Sequence, residues 1–262
     1  MESNSFINTR RGGKAAKAKI LFADIMIALL PAAGFGILIA LILGAPSGRT
    51  SISLMLVGLF GAQFESLDQI NLMMSLFYFT PPLLQLVFLG DRIPRELSGG
   101  VYLLVRSKGR AGWLIKKLLW VIALSLLMSL FMLLPLYVYA RINGAPTDEL
   151  LLSAVLELMA TWGLCQCMVV VFCNIIGTLV KPLYLLLISL VLYAVGLVSF
   201  LEVGESAKLF PTVQGILYAH NSIFGRTQEG YLTPLFSAIY QSALIAAIGI
   251  FGVLRIRKTD IL

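Results

Sequence analysis

Charge is scarce in this sequence. Asp, Glu, Lys and Arg make up 13% of its 262 residues, and 59% are hydrophobic; soluble domains carry about 25% charged and about 45–50% apolar residues. That composition excludes a soluble globular protein and leaves a polytopic membrane protein. Histidine occurs once, at His220. The three cysteines, Cys165, Cys167 and Cys173, fall within one apolar run. A disulfide framework and a His/Cys zinc site are thereby excluded, and the cysteines read as small packing residues. The chain also lacks a GxxxxGK[ST] phosphate loop, an HExxH helix and a Gly-x-Ser-x-Gly elbow. It is long enough for one membrane domain, residues 1–262, and too short for an added soluble enzyme domain.

Ionisable residues are nearly absent from the apolar runs. Autonomous catalysis is therefore not expected, and neither is ion-coupled transport, which needs buried charge near the bilayer midplane. Glu157 is the deepest acid, with Thr161 and Cys165 at i+4 and i+8. It either helps line a substrate path or sits solvated at headgroup level. Gln85 has a similar pair of readings, path lining or an interhelical hydrogen bond. A membrane enzyme acting on lipid would have only Glu65, Asp68, Glu202 and Glu205 as acid–base groups, and loop carboxylates are ordinarily just solvated.

What is abundant is runs of membrane-spanning length. Six are expected, at 20–43, 70–89, 118–139, 150–180, 183–201 and 234–254. Basic residues 1–19 precede the first, which is too long for a signal-peptide core. Asp24, one turn inside it, can snorkel or pair with Lys17 or Lys19. Pro81-Pro82 should kink the second span, and Lys181-Pro182 should make a tight turn before the fifth. Two outer segments, 44–69 and 202–233, hold apolar pieces read as short interfacial or re-entrant helices, Ile52–Phe64 and the PTVQGILYAHNSIF stretch. All but four of the 20 Lys and Arg fall on one side of this arrangement, the exceptions being Arg49, Arg141, Lys208 and Arg226. By the positive-inside rule both termini are cytoplasmic. The same rule accounts for the net charge of +7, so nucleic acid is not an expected partner.

One long polar interval carries most of its charge as Lys and Arg. Residues 91–117, DRIPRELSGGVYLLVRSKGRAGWLIKK, carry seven Lys and Arg, and Ile93, Leu97, Val101 and Leu104/Val105 recur at helical spacing. A basic amphipathic segment between two spans lies at the cytoplasmic membrane surface with one face free for a partner.

The order RELSGGVYLLVRSKGRAGWLIKKLL resembles the first cytoplasmic loop of ABC-2-type permeases, the membrane subunits of a class of ATP-binding-cassette exporters. The matching positions are Glu96, Gly99, Gly100, Tyr102 to Leu104, Arg106, Arg110 and Lys117; Ser107 stands where that loop usually has proline. The basic, Asp-containing tail RIRKTDIL resembles the family's ending. The resemblance implies an all-α membrane fold of six spans with a coupling helix between spans two and three. Arg95, Glu96, Leu97, Gly100, Tyr102, Arg106 and Arg110 would meet a separate P-loop ATPase, and ATP and magnesium would belong to that subunit, with no cofactor in this chain. It further implies a second permease, identical or homologous, a multi-pass location in a bacterial cell membrane, and export of an amphipathic peptide or drug-like substrate past Gln85, Glu157 and Thr161. The competing reading is a non-transporting scaffold or sensor that recruits a cytoplasmic partner through the same loop.

Overall fold

A computed structural model of the protein describes residues 3–43, 72–99, 109–143, 151–223, 226–227 and 230–258. The helices are α1 (Ser3–Leu43), α2 (Leu72–Leu89), α3 (Arg92–Gly99), α4 (Arg110–Ile142), α5 (Leu151–Leu158), α6 (Leu164–Ile176), α7 (Pro182–Val203) and α8 (Pro234–Lys258). A single π turn, Met159–Gly163, joins α5 to α6. Five helical segments among the described residues are long and apolar enough to cross a membrane: Phe22–Ile42, Arg110–Ile142, Val155–Ile176, Leu183–Leu209 and Pro234–Arg257. The protein is a helical membrane protein. The 18-residue α2, which runs through Pro81 and Pro82 without a break, packs in the same bundle.

Burial orders the bundle. The Val155–Ile176 segment is 61% buried and Pro234–Arg257 only 17%, so the former is the central column and α8 the peripheral one. Every residue from Cys165 to Val171 is buried, as expected of a helix that is apolar on all sides. Around it α4 presents Leu124, Met128, Met132 and Leu136, four residues apart and all fully buried.

The widest helix–helix contact joins α1 to α4. Its α1 face is Ala28, Ala32, Gly36 and Ala40, again at i+4 spacing and all buried. Small residues let two helices in lipid approach backbone to backbone. At Gly36 the approach is closest: a β-carbon there would lie 2.5 Å from the Met132 carbonyl and 3.0 Å from Pro135 Cγ.

At one end of the bundle α2 turns into α3, α4 begins with Arg110, Lys116 and Lys117, and α8 ends with Arg255, Arg257 and Lys258; we call it the basic end. The opposite end is closed by the described part of residues 204–233. Here the structure corrects the sequence expectation of a re-entrant helix. The segment forms three 3-10 turns (Gly204–Leu209, Val213–Gly215, Leu217–Ala219) and a two-residue antiparallel ladder, β1 (Ser222–Ile223) with β2 (Arg226–Thr227). Pro211 and Gly215 break helical continuity, and side chains from the long helices satisfy the backbone instead. Gln241 Nε2 donates to the Pro211 carbonyl at 2.6 Å and Tyr240 Oη to the Leu209 carbonyl at 2.5 Å; in the other direction the segment's Thr212 Oγ1 donates to the Leu192 carbonyl of α7 at 2.9 Å. Thr212 gets that close because Gly196 faces it; a β-carbon at 196 would collide with Thr212 Oγ1. Residues 44–69, the other expected outer segment, lie outside the described residues.

Candidate functional site

The short helix α3 sits across the basic end, held by its neighbours at four points. The first is a backbone cap. Leu89 ends α2 and Ile93 opens α3, so one carbonyl and one amide there lack helical partners. One carboxamide serves both: Asn174 Oδ1 accepts from Ile93 N at 2.9 Å, and Asn174 Nδ2 donates to the Leu89 carbonyl at 2.6 Å and to Val170 at 2.9 Å. A carboxamide carries an acceptor oxygen and a two-proton donor nitrogen side by side, which is what these two groups require. The second is apolar. Ile93, 1% exposed, packs with Leu114, Leu118, Val171 and Ile175, and Leu97 and Trp113 lie against them.

The third point is a pair of ion pairs to the long helices. Arg92 reaches Asp24 of α1 at 2.7 Å, and Lys117 of α4 reaches Glu96 at 2.6 Å. The α2–α3 corner delivers Arg92 to Asp24; the side chains of Lys17 and Lys19, the partners expected from sequence, lie outside those described. The fourth is a close approach: a β-carbon at Gly177 would lie 2.8 Å from both Pro94 Cγ and Leu185 Cδ1. Beside this corner a cavity of about 320 Å³ opens among Leu86, Val87, Asp91, Arg95, Cys173 and Leu183.

The expected docking residues divide accordingly. Arg95 is turned outward, its side chain 70% exposed and tethered at 2.6 Å to Asp91 one turn back. Glu96 is half-buried against Lys117, and Leu97 faces the bundle. Arg110 belongs to the first turn of α4, a different helix from Arg95. Gly100, Tyr102 and Arg106 lie outside the described residues, as do Val101 and Leu104/Val105 of the expected stripe. Asn174 was missed by sequence reasoning. Its signal was a lone amide in the otherwise apolar run VVVFCNII, where an intramembrane polar residue asks for a partner.

The expected path residues do not gather into one lining. Gln85 is fully buried in an interhelical network: its Nε2 donates to Gln166 Oε1 at 2.6 Å and to Ser129 Oγ at 2.8 Å, and Ser125 Oγ donates to its Oε1 at 2.5 Å. Three helices, α2, α4 and α6, are joined there. Thr161 is buried, and its hydroxyl is turned back on the Glu157 carbonyl at 2.8 Å. Glu157 is half-buried. The π turn between Glu157 and Cys165 carries a Leu164-to-Met159 hydrogen bond, five residues apart, which breaks the i+4, i+8 stripe the sequence suggested.

Replacing Gln85 by Leu should leave the Ser125 and Ser129 hydroxyls and the Gln166 amide short of partners. A loss of about 1–2 kcal/mol is expected, read by denaturation in mixed micelles. The Gln85→Leu, Gln166→Leu pair should recover part of it; a larger loss in the double variant would contradict the network.

His220 is the only buried imidazole and ties the closing segment to α8. Its Nδ1 donates to the Ile216 carbonyl at 3.0 Å, and its Nε2 lies 2.8 Å from Ser237 Oγ, which is itself 2.6 Å from Gln214 Oε1. Burial pushes its pKa down from 6.5 to about 4, against the Ile216 and Leu217 carbonyls, which favour the charged ring. Below pH 6.5 the unfolded chain binds a proton that the folded chain refuses until about pH 4. Stability is therefore full above that window and falls as pH drops through it, by at most about 3 kcal/mol. Melting temperature should decline between pH 7 and 4 in the wild type and decline less in His220→Gln.

Residues 29–262 match a protein family described as a protein of unknown function, DUF2705. No curated protein and no solved structure matches the chain.

Proposed function

We propose that this chain, which belongs to the DUF2705 family of unknown function, is the membrane-embedded permease subunit of an ABC-2-type exporter. In this reading α2 also spans the membrane, as the second of six spans, the basic end and both termini are cytoplasmic, and α3 is the coupling helix. Arg95 and Ser98 form its outward edge for a separate P-loop ATPase that carries ATP and magnesium. The cell membrane, in a bacterium, is the proposed location, a second permease the proposed partner, and an amphipathic peptide or drug-like molecule the proposed substrate.

The observation that carries the reading is the attachment of α3. A helix of eight residues has little stability of its own. This one is bound to α1, α4 and α6 by two ion pairs and a carboxamide cap, while Arg95 stays outside. Displacement of α3 by an attached motor would move α1, α4 and α6 as connected bodies. A loop that only linked two spans would need none of these ties.

The test is co-purification of the tagged, detergent-solubilised chain from its host, with nucleotide hydrolysis measured in the eluate. Wild type should retain an ATPase identified by mass as a P-loop protein. Arg95→Glu, which leaves the Asn174 cap and the Glu96–Lys117 pair in place, should lose at least tenfold of the bound hydrolytic activity while keeping its own melting temperature. Retention of some other protein with no nucleotide turnover would move the reading to a recruiting scaffold.

A further inference from the structure

A groove of about 350 Å³ runs between α4 and α8 on the lipid-facing side, with Val171 of α6 beneath it. Leu119 and Ile122 form one wall, and Ile250 and Leu254 the other. Its lining is apolar from Ile245 to Leu254 and then meets Arg257 at the basic end. Twelve residues of helix separate Ile245 from Arg257, about 18 Å, close to the ~15 Å depth of one leaflet's hydrocarbon. The groove stays open because α8 is small here. Gly249 has no side chain, and a β-carbon on it would reach nothing closer than Leu118 Cδ1 at 3.7 Å; Ala246 lies one turn away.

The charged residue among those lining the groove is Arg257, at its mouth. Arg257 is exposed and takes part in none of the ion pairs among the described residues. Lys116, beside Ile115 in sequence and itself outside the lining, is exposed at the same end of α4. Neither α4 nor α8 contains an acidic residue anywhere along its length. A slot as deep as a leaflet, with at its surface end a cation that has no ion pair among the described residues, is shaped for an amphiphile with one chain and a negative head.

We infer that this groove is a binding site for an anionic phospholipid of the leaflet at the basic end, its acyl chain lying between α4 and α8 and its phosphate held by Arg257 and Lys116. Guanidinium and phosphate oxygens pair in a two-point geometry, and basic sites between helices at the membrane surface recognise anionic headgroups by the same chemistry. The chain contributes area and the cations contribute selectivity. The site does not depend on transport.

Native mass spectrometry of the full-length chain tests it, after incubation with phosphatidylglycerol and phosphatidylcholine of identical acyl chains. Wild type should hold phosphatidylglycerol at least tenfold more tightly, the expectation for two surface cations. Arg257→Gln should cut that preference about fivefold, and Arg257→Lys should restore most of it. Ala246→Phe, which fills the slot, should remove the tightly held lipid of both kinds at unchanged monodispersity; Gly249→Leu does the same should the phenylalanine variant not fold. Equal retention of the two lipids, or adducts that persist in the filled variants, would mean non-specific annular lipid and overturn the site. A dimer that dissolves on Ala246→Phe would overturn it as well, by showing a second copy on this face.

Discussion

Asn174→Leu is expected to cost about 3 kcal/mol of stability and to release α3 from the bundle. Leucine has nearly the same shape, so packing is kept and the loss reports hydrogen bonding. Two backbone groups, the Leu89 carbonyl and the Ile93 amide, lose the partner that both share. An orphaned buried group costs about 1–3 kcal/mol, reduced within lipid, where polar pairs average nearer 0.6 kcal/mol. Asn174→Asp should fall between wild type and leucine, since a carboxylate still accepts from Ile93 but cannot donate to Leu89. Thermal unfolding in detergent gives the ranking. Spin labels at Ser98 and Thr178, both exposed, report α3 directly: their distance distribution should broaden in Asn174→Leu. A narrow, unshifted distribution together with the full stability loss would show that the two ion pairs and Ile93 hold α3 without the cap.

Gly36→Leu should abolish the folded protein. The added atoms would meet the Met132 carbonyl at 2.5 Å and the Pro135 ring at 3.0 Å. Neither is the free end of a flexible side chain, so α1 must move away from α4 along the whole Ala28–Ala40 face. Overpacking of a tight core typically costs about 1–3 kcal/mol for small additions; here the widest interface in the molecule is wedged apart. Gly36→Ala should already lose about 2 kcal/mol, despite alanine's better helix propensity. Gly34, two residues away on the same helix, is exposed and has nothing within 4 Å of a β-carbon. Gly34→Ala should therefore be neutral or stabilise by up to about 1 kcal/mol. The pair is measured by yield of monodisperse protein and by melting temperature. Equal behaviour of the two alanine variants would remove the close α1–α4 approach.

The amphipathic pattern of α3 could be read from the chain, because Ile93 and Leu97 stand one turn apart and a helix at a membrane surface must bury them. Which of its charges would be left outside could not. Arg92 and Glu96 have the same local character as Arg95, and their partners, Asp24 and Lys117, come from helices distant in sequence. The i+4 stripe Glu157, Thr161, Cys165 presumed an unbroken α-helix. Nothing local announces the π turn that interrupts it beside the Val213–Gly215 turn, where a β-carbon on Gly215 would lie 2.8 Å from Cys165 Sγ. The apolar stretch after residue 210 looked helical by composition alone; its Pro211 and Gly215 marked the breaks, but the donors that replace its backbone bonds belong to α8.

Sequence by itself determined that this is a helical membrane protein and where five of its long apolar helices lie. Without water to satisfy the backbone, an apolar run of spanning length has to bond within itself, so length and hydropathy decide the outcome locally. The tertiary structure alone decided the rest: the central place of α6, the seat of Gly36 on a carbonyl of α4, the capping of two helix ends by Asn174, and the placing of Arg257 at the mouth of the α4–α8 groove. Lipid drives helices together only weakly, so small-residue contact and a few polar bonds between distant positions set the arrangement, and such pairings have no local trace in a sequence.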